Sequence, residues 1–223
     1  MEQGAWLRRG GLSADVAENA DGERFRGQDM KASELFRELP TLRTKRLVLR
    51  KLTMADAEAV YAYGRDPEVT KHVAFPTHRS IEDAKSFLRD TLKHYRRGEP
   101  ASWAIVRKTD NRLIGAIGFI HYSEKDARIE AGYALARDSW GQGSMTEAFG
   151  EVLRFAFQRL GINRVEARCS PDNIGSYRVM EKCGMRYEGL LRQHDKPKGK
   201  FQDRKLYAIL REEWLAQHKR GGM

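Results

Sequence analysis

The sequence predicts a mixed α/β fold, with one sheet and helices packed on it. Three observations lead there. Two helical patterns come early, and strand-like runs then surround two later helices. A glycine turn, Gly141-Gln142-Gly143, joins one strand-like run to one of those helices. The chain has 223 residues, 40% of them apolar, enough for one sizeable domain and too few for two ordinary ones.

In chain order, Arg46 to Leu52 reads as a strand. Thr53 then caps a helix carrying Ala57, Val60 and Tyr61 on one face, with Asp56 in its first turn. Ser80 caps a second helix whose apolar face holds Ile81, Ala84, Phe87, Leu88 and Leu92, and Gly98 and Pro100 end it. Ser102 to Arg107 and Leu113 to His121 form a hairpin across Asp110-Asn111-Arg112. Ile129 to Ala136 is a strand leading into the glycine turn. Met145, Ala148, Phe149, Val152, Leu153, Ala156 and Leu160 then mark one face of a helix. Arg164 to Cys169 is the next strand, and Ile174 to Cys183 a short helix with Asn173 or Asp172 at its cap. Tyr187 to His194 and Phe201 to Leu210 are the last strands, joined by the lysine-rich segment Lys196 to Lys200, read as a solvated loop.

Residues 1–29 differ from the rest: rich in Gly, Arg, Asp, Glu and Ala, with little apolar periodicity. They predict a flexible extension to a single domain over 30–223. Met30 followed by Lys31 would serve as a start in its own right. The formal charge is +10, yet residues 1–30 hold four arginines against six acids, so the positive charge belongs to the domain. Its end is dense in cations: Arg192, Lys196, Lys198, Lys200, Arg204 and Lys205. Such a surface suits cofactor phosphates and solubility, or an acidic acceptor; direct nucleic-acid binding is not expected, since no basic motif interleaved with aromatics is present. No apolar run is long enough to span a bilayer and no signal-peptide pattern opens the chain, so a cytoplasmic protein is expected. Two cysteines, Cys169 and Cys183, give neither a disulfide framework nor a zinc spacing, and the six histidines show no metal spacing; no metal is expected. His121 and His194, on predicted strands, are candidate pocket residues or plain surface or packed residues.

A turn from strand to helix points free backbone N–H groups and the positive end of the helix dipole at one spot, a cradle for an anion. Glycine there lets a phosphate approach the backbone. Neither Gly-x-Gly-x-x-Gly nor Gly-Lys-Ser/Thr follows, which argues against dinucleotide and mononucleotide loops. Trp140 is expected to pack beneath the turn.

Downstream runs Asn173-Ile174-Gly175-Ser176-Tyr177-Arg178-Val179-Met180-Glu181-Lys182-Cys183-Gly184-Met185. Together with Trp140-Gly141-Gln142-Gly143 about thirty residues earlier, this resembles the GNAT acetyltransferase superfamily, and more closely its RimJ/RimL branch of protein N-terminal acetyltransferases. Leu42 to Arg50 resembles the branch's opening strand, Glu130-Ala131-Gly132-Tyr133 its Glu-x-Gly-Tyr strand, and Gln202-Asp203 with Leu206 to Leu210 its last strand. The likeness covers roughly Pro40 to Leu215. One departure stands out: the fuller loop pattern opens with Arg or Gln three residues before the first glycine, and here that residue is Asp138.

The resemblance implies a mostly antiparallel sheet, splayed in the middle, between the strand ending near Leu135 and the one ending near Cys169. It implies acetyl-CoA as donor and an amine as acceptor. Pantetheine would pair with the backbone of Ala134, Leu135, Ala136 and Arg137. Pyrophosphate would sit on the amides of Gly141, Gln142, Gly143, Ser144, Met145 and Thr146. Asn173 and Ser176 would hold the pantetheine arm. Amine attack needs a neutral nitrogen, so a base must take a proton; Glu130 matches the strand glutamate near the splay, while its bland alternative is pairing with a basic neighbour. The oxyanion needs a donor near Leu135, and the departing thiolate needs Ser176 or Tyr177. The acceptor is expected to be a protein α-amine of the ribosomal type. A small amine (polyamine, amino acid or drug) and a non-catalytic acyl-CoA-binding module are the alternatives. A ribosomal protein and a second copy of the chain are the macromolecular partners left open.

Overall fold

A computed structural model describes residues 31–219. The flexible extension expected over residues 1–29 lies outside that range. Among the described residues the order is α1 (Ala32–Glu38), β1 (Leu42–Arg43), β2 (Leu47–Lys51), α2 (Ala57–Gly64), α3 (Pro67–Thr70), α4 (Ile81–Arg97), β3 (Ser102–Arg107), β4 (Arg112–Ser123), β5 (Arg128–Leu135), α5 (Ser144–Gln158), β6 (Arg164–Cys169), α6 (Ile174–Lys182), β7 (Arg186–Asp195), β8 (Gln202–Leu210) and α7 (Arg211–Lys219). Every strand and helix expected from the pattern is present within a residue or two, except that β4 runs two residues further and a short 3₁₀ turn, Met54–Asp56, precedes α2. The single opening strand implied over Leu42 to Arg50 is divided into β1 and β2, which pair antiparallel across a turn, and α1, α3 and α7 have no counterpart in the sequence reading.

The eight strands form one sheet in the order β1-β2-β3-β4-β5-β6-β8-β7. All neighbours are antiparallel except β5 and β6, which run parallel because α5 carries the chain back across one face. Their ladder is short. It starts at Arg128↔Arg164 and stops at Ala131↔Ala167. β5 nevertheless pairs with β4 as far as Leu135, and β6 pairs with β8 as far as Cys169. The two strands therefore part company beyond Ala131 and leave a wedge between their C-terminal halves.

Period-two alternation divides the side chains between two faces. Ile129, Ala131, Leu135, Val165, Ala167 and Cys169 join the core that α5 closes with Met145, Ala148, Phe149 and Val152. Trp103, wholly buried, meets Phe119 and Phe155 edge-on there, at 5.7 and 5.3 Å. On the opposite face, α2 and α4 cover β2 to β4 with Val60, Tyr63, Ala84 and Leu88. α4 is held at its start by Asp83, whose carboxylate accepts the Ser80 N–H at 3.0 Å. Neither α2 nor α4 extends over β5 and β6, so the second face of those strands stays open and charged.

Candidate acyl-transfer site

The wedge is the floor of a cleft of about 510 Å³. Its wall on β5 is Tyr133, Ala134 and Leu135. Its head is Trp140, Gly141, Gly143, Ser144, Met145 and Thr146, and its far wall is Asn173 to Ser176 with Arg178, Val179 and Lys182 on α6. Glu68, Val69, His72 and Val73 close the side next to α3. Burial and then the neighbouring Lys71 hold the His72 ring below its ordinary value, so it is neutral near pH 7.

The backbone supplies the wedge with its own hydrogen-bonding groups. The Ala136 N–H bonds the Ile114 carbonyl at 2.7 Å, which fixes the parity of the strand. By alternation, Ala134 and Ala136 turn their N–H and C=O groups toward β4, whereas Tyr133 and Leu135 turn theirs into the wedge. Of the four residues expected to pair with pantetheine, Leu135 has its backbone groups there and Ala134 contributes its side chain. Ala136 and Arg137 instead line a separate depression with Tyr63, Asp66 and Arg112.

Gly141 and Gly143 have φ of +73° and +76°, the left-handed region that favours glycine. Gly143 caps α5, so the first amides of that helix point outward without intrahelical partners. Nothing lies within 4 Å of a Cβ built on Gly141, and only the Arg46 guanidinium, at 3.5 Å, approaches one built on Gly143. The space is open to an anion and a side chain would occupy it. The cradle thus fits a pyrophosphate. Gln142 does not face the cleft; its amide donates to the Asp138 carbonyl at 2.7 Å.

The loop is braced from the turn between β1 and β2, a contact with no sequence signal. Glu147 in the first turn of α5 accepts hydrogen bonds from Thr44 Oγ1 (2.6 Å), the Arg46 N–H (2.8 Å) and Arg46 Nε (2.6 Å). Arg46 Nη1 also reaches the Gln142 carbonyl at 2.9 Å. A cation therefore stands beside the cradle although position 138 is acidic. Asp138 itself is matched by Arg112 at 2.7 Å.

Burial raises the Glu147 carboxyl, but the hydrogen bonds from Thr44 and Arg46 outweigh it, and the net shift is downward. A carboxyl lowered by folding stabilises the structure fully above its unfolded value of about 4.3, and that stabilisation is lost as pH falls through the lower folded value. Two outcomes follow. Glu147→Gln weakens acetyl-CoA binding several-fold across pH 5–8. The wild type loses affinity from this source only at pH below about 4. Calorimetric titration of both proteins from about pH 8 down to below about pH 4 checks both outcomes.

Trp140 corrects an expectation. It is 46% exposed and lines the cleft, and its indole N–H donates to the Leu135 carbonyl at 2.8 Å instead of packing beneath the loop. Tyr177, by contrast, does not line the cleft. Its ring stacks on Tyr207 at 6.4 Å, with Lys205 Nζ 4.3 Å from its centroid. Ser176 does line the cleft. Its N–H bonds Asn173 Oδ1 at 3.1 Å, so Asn173 acts as the cap of α6.

Glu130 sits on the open charged face, 8% exposed, where β5 and β6 still pair. Arg168 grips both its oxygens, one at 2.9 Å and the other in a shorter contact. His194 in turn contacts the same guanidinium. Glu166, 9% exposed, is matched by Arg164 at 2.7 Å and Arg128 at 3.5 Å. Glu130, Glu166, Arg128, Arg168 and His194, with His121, line a second hollow, of about 480 Å³, directly behind the apex of the wedge. The pairing partner foreseen for Glu130 is thus Arg168. Among the described residues no group of three or more His, Cys, Asp or Glu could hold a metal, and no helix is long and apolar enough to cross a membrane.

Residues 46–186 match the model of the acetyltransferase (GNAT) domain. The chain belongs to the GNAT family. It is 32% identical, over 79% of its length and 99% of the relative's, to the uncharacterized N-acetyltransferase p20 of Bacillus licheniformis. A GNAT-family acetyltransferase structure from Bacillus anthracis superposes with a TM-score of 0.70 at 30% identity, covering 78% of this chain and 99% of that one. RimL, a ribosomal L7/L12 α-N-protein acetyltransferase solved with coenzyme A, superposes with a TM-score of 0.69 at 20% identity, covering 77% and 98%. This GNAT protein is therefore an N-acetyltransferase with the mostly antiparallel splayed sheet of its family, and acetyl-CoA is the family's donor.

Proposed function

We propose that this GNAT protein transfers the acetyl group of acetyl-CoA to the α-amine of a protein or peptide in the cytoplasm. The observation that carries the acceptor class is the state of the hollow behind the wedge. Its two buried carboxylates, Glu130 and Glu166, are already matched by Arg168, Arg164 and Arg128. A polyamine or an aminoglycoside-like drug needs several free carboxylates, and here such a cation would have to displace arginines. A single α-amine on a chain bearing few positive charges meets no such cost. The fold shared with RimL supports the same class without fixing the acceptor.

In this reading the cradle at Gly141, Gly143 and the start of α5 holds pyrophosphate, with Arg46 beside it. The backbone of Tyr133 and Leu135 aligns the pantetheine arm, and the Leu135 N–H faces the carbonyl oxygen that gains charge. Asn173 fixes the start of α6 so that Ser176 faces the departing sulfur. Glu130 takes the amine proton through a water. A carboxylate that already accepts two charge-assisted hydrogen bonds has few lone pairs free, so proton transfer requires Arg168 to slacken one contact. The experiment is mass spectrometry of products from a panel of free-α-amine peptides and small amines. An acetyl group on a peptide α-amine supports the proposal. Acetylation of polyamines or drugs alone moves the acceptor to the small-molecule class.

A further inference from the structure

We propose that Tyr133 is a positioning residue for the departing sulfur: its phenol donates to Ser176 Oγ and leaves the serine's own hydrogen directed down the cleft. The inference rests on the reading that Ser176 serves the leaving thiolate.

The geometry is specific. Tyr133 lies on β5 and Ser176 on α6, at opposite walls of the cleft, and both line it. The phenol oxygen is 3.0 Å from Ser176 Oγ and 3.1 Å from the Ser176 carbonyl oxygen. The tyrosine ring is fixed from behind by Phe149, at 5.4 Å. Ser176 cannot drift, because its N–H is bonded to Asn173. Two hydroxyls that meet admit two arrangements. If the phenol donates to the carbonyl, it accepts the serine hydrogen and takes that donor out of use. If it donates to Oγ, the serine hydrogen is free for a third acceptor. A sulfur gaining negative charge in the cleft is such an acceptor, and it selects the second arrangement. Donation into Oγ also strengthens the serine O–H as a donor.

Tyr133 does not give up its proton. Burial raises its phenol well above the ordinary value, so it stays neutral throughout the working range. The neighbours do not take over its part. Cys169, at the end of β6, lies within reach of Ser176, and burial raises its thiol. Cys183, beyond α6, is pushed up to about 12 by burial. Both are neutral thiols near pH 7. From β8, Lys205 and then Arg204 act as cations on Cys169 and oppose that rise without reversing it. From α5 the wall contributes Met145 and Phe149, which carry no charge. In the transfer the C–N bond forms and the C–S bond breaks with its electron pair going to sulfur. The nitrogen's proton passes to the base, and the Ser176 hydrogen holds the thiolate until solvent protonates it.

The test needs no acceptor. The thiol ionisation of free CoA bound to the protein is followed by thiolate absorbance against pH, in the wild type, Ser176→Ala and Tyr133→Phe, with desulfo-CoA affinity measured alongside. A hydrogen bond to the thiolate lowers the bound thiol's pKa. Removing Ser176 raises it by about one unit, and removing the tyrosine hydroxyl raises it by roughly half that or more. Desulfo-CoA affinity stays within about twofold, since the phenyl ring keeps its packing. If Ser176→Ala shifts the thiol and Tyr133→Phe does not, the part assigned to Tyr133 is wrong. If neither variant shifts it, the reading of Ser176 fails and takes the inference with it. If Tyr133→Phe loses desulfo-CoA binding, the hydroxyl shapes the cleft and the inference is overturned.

Discussion

Gly143→Glu abolishes acetyl-CoA binding, weakening it by at least about a hundredfold. Two effects combine. The residue caps α5 at φ +76°, where any L side chain is strained by roughly 1 kcal/mol. Its carboxylate would also stand where the outward amides of α5 receive a phosphate, replacing an attraction with a like-charge repulsion. Gly143→Ala separates the terms, since it keeps the strain and adds no charge; its loss should be no more than about tenfold. Calorimetric titration with acetyl-CoA measures both, with circular dichroism as the check on folding. An affinity in Gly143→Glu equal to wild type would show that the phosphates bind elsewhere.

Arg168→Met has the largest expected effect on stability. It leaves the buried Glu130 carboxylate without its guanidinium, a loss of about 3 kcal/mol. For a domain of this size that lowers the Tm by roughly 6–12 °C. The companion Glu130→Gln keeps the shape and removes the charge, so its stability cost is smaller. Its turnover falls by about a hundredfold while acetyl-CoA affinity holds, the signature of a lost base. The double variant recovers part of the stability lost in Arg168→Met, because no buried charge is left unpaired. Thermal denaturation, steady-state kinetics and titration together read these outcomes. A Glu130→Gln enzyme with wild-type turnover and pH–rate profile would assign the proton transfer to another group or to bulk water.

The local parts of this architecture were legible in the sequence because their signals are local. Apolar spacing of three and four marked α4 and α5, and alternation marked the strands. The two glycines announced the cradle because only a turn with positive φ requires them at that spacing. Short elements carried too little pattern. α1 buries only Leu35 and Phe36, α3 spans four residues, and β1 is two residues long. The site's polar contacts were illegible for a different reason. Arg46 meets Glu147 across 101 residues, and Arg168 meets Glu130 across 38. No periodicity encodes such pairs; the order of strands in the sheet creates them. Tyr133 was missed as a polar participant because a tyrosine in a strand reads as packing. Its hydroxyl gains meaning only when α6 brings Ser176 opposite. Tyr177 shows the converse, since adjacency to a site serine in sequence places it about 100° away around a helix, against Tyr207.

The central claim is that the wedge between β5 and β6 carries acetyl-CoA and delivers its acetyl group to an amine entering from the charged face. The most direct measurement is thiol release from acetyl-CoA with and without free-α-amine peptides, using the full chain and identifying the product by mass. The structure leads us to expect acceptor-dependent thiol release with one acetyl group on the peptide's α-nitrogen. Tight acetyl-CoA binding with no amine-dependent thiol release, across peptides and small amines alike, would contradict it and leave a protein that binds the thioester without transferring it.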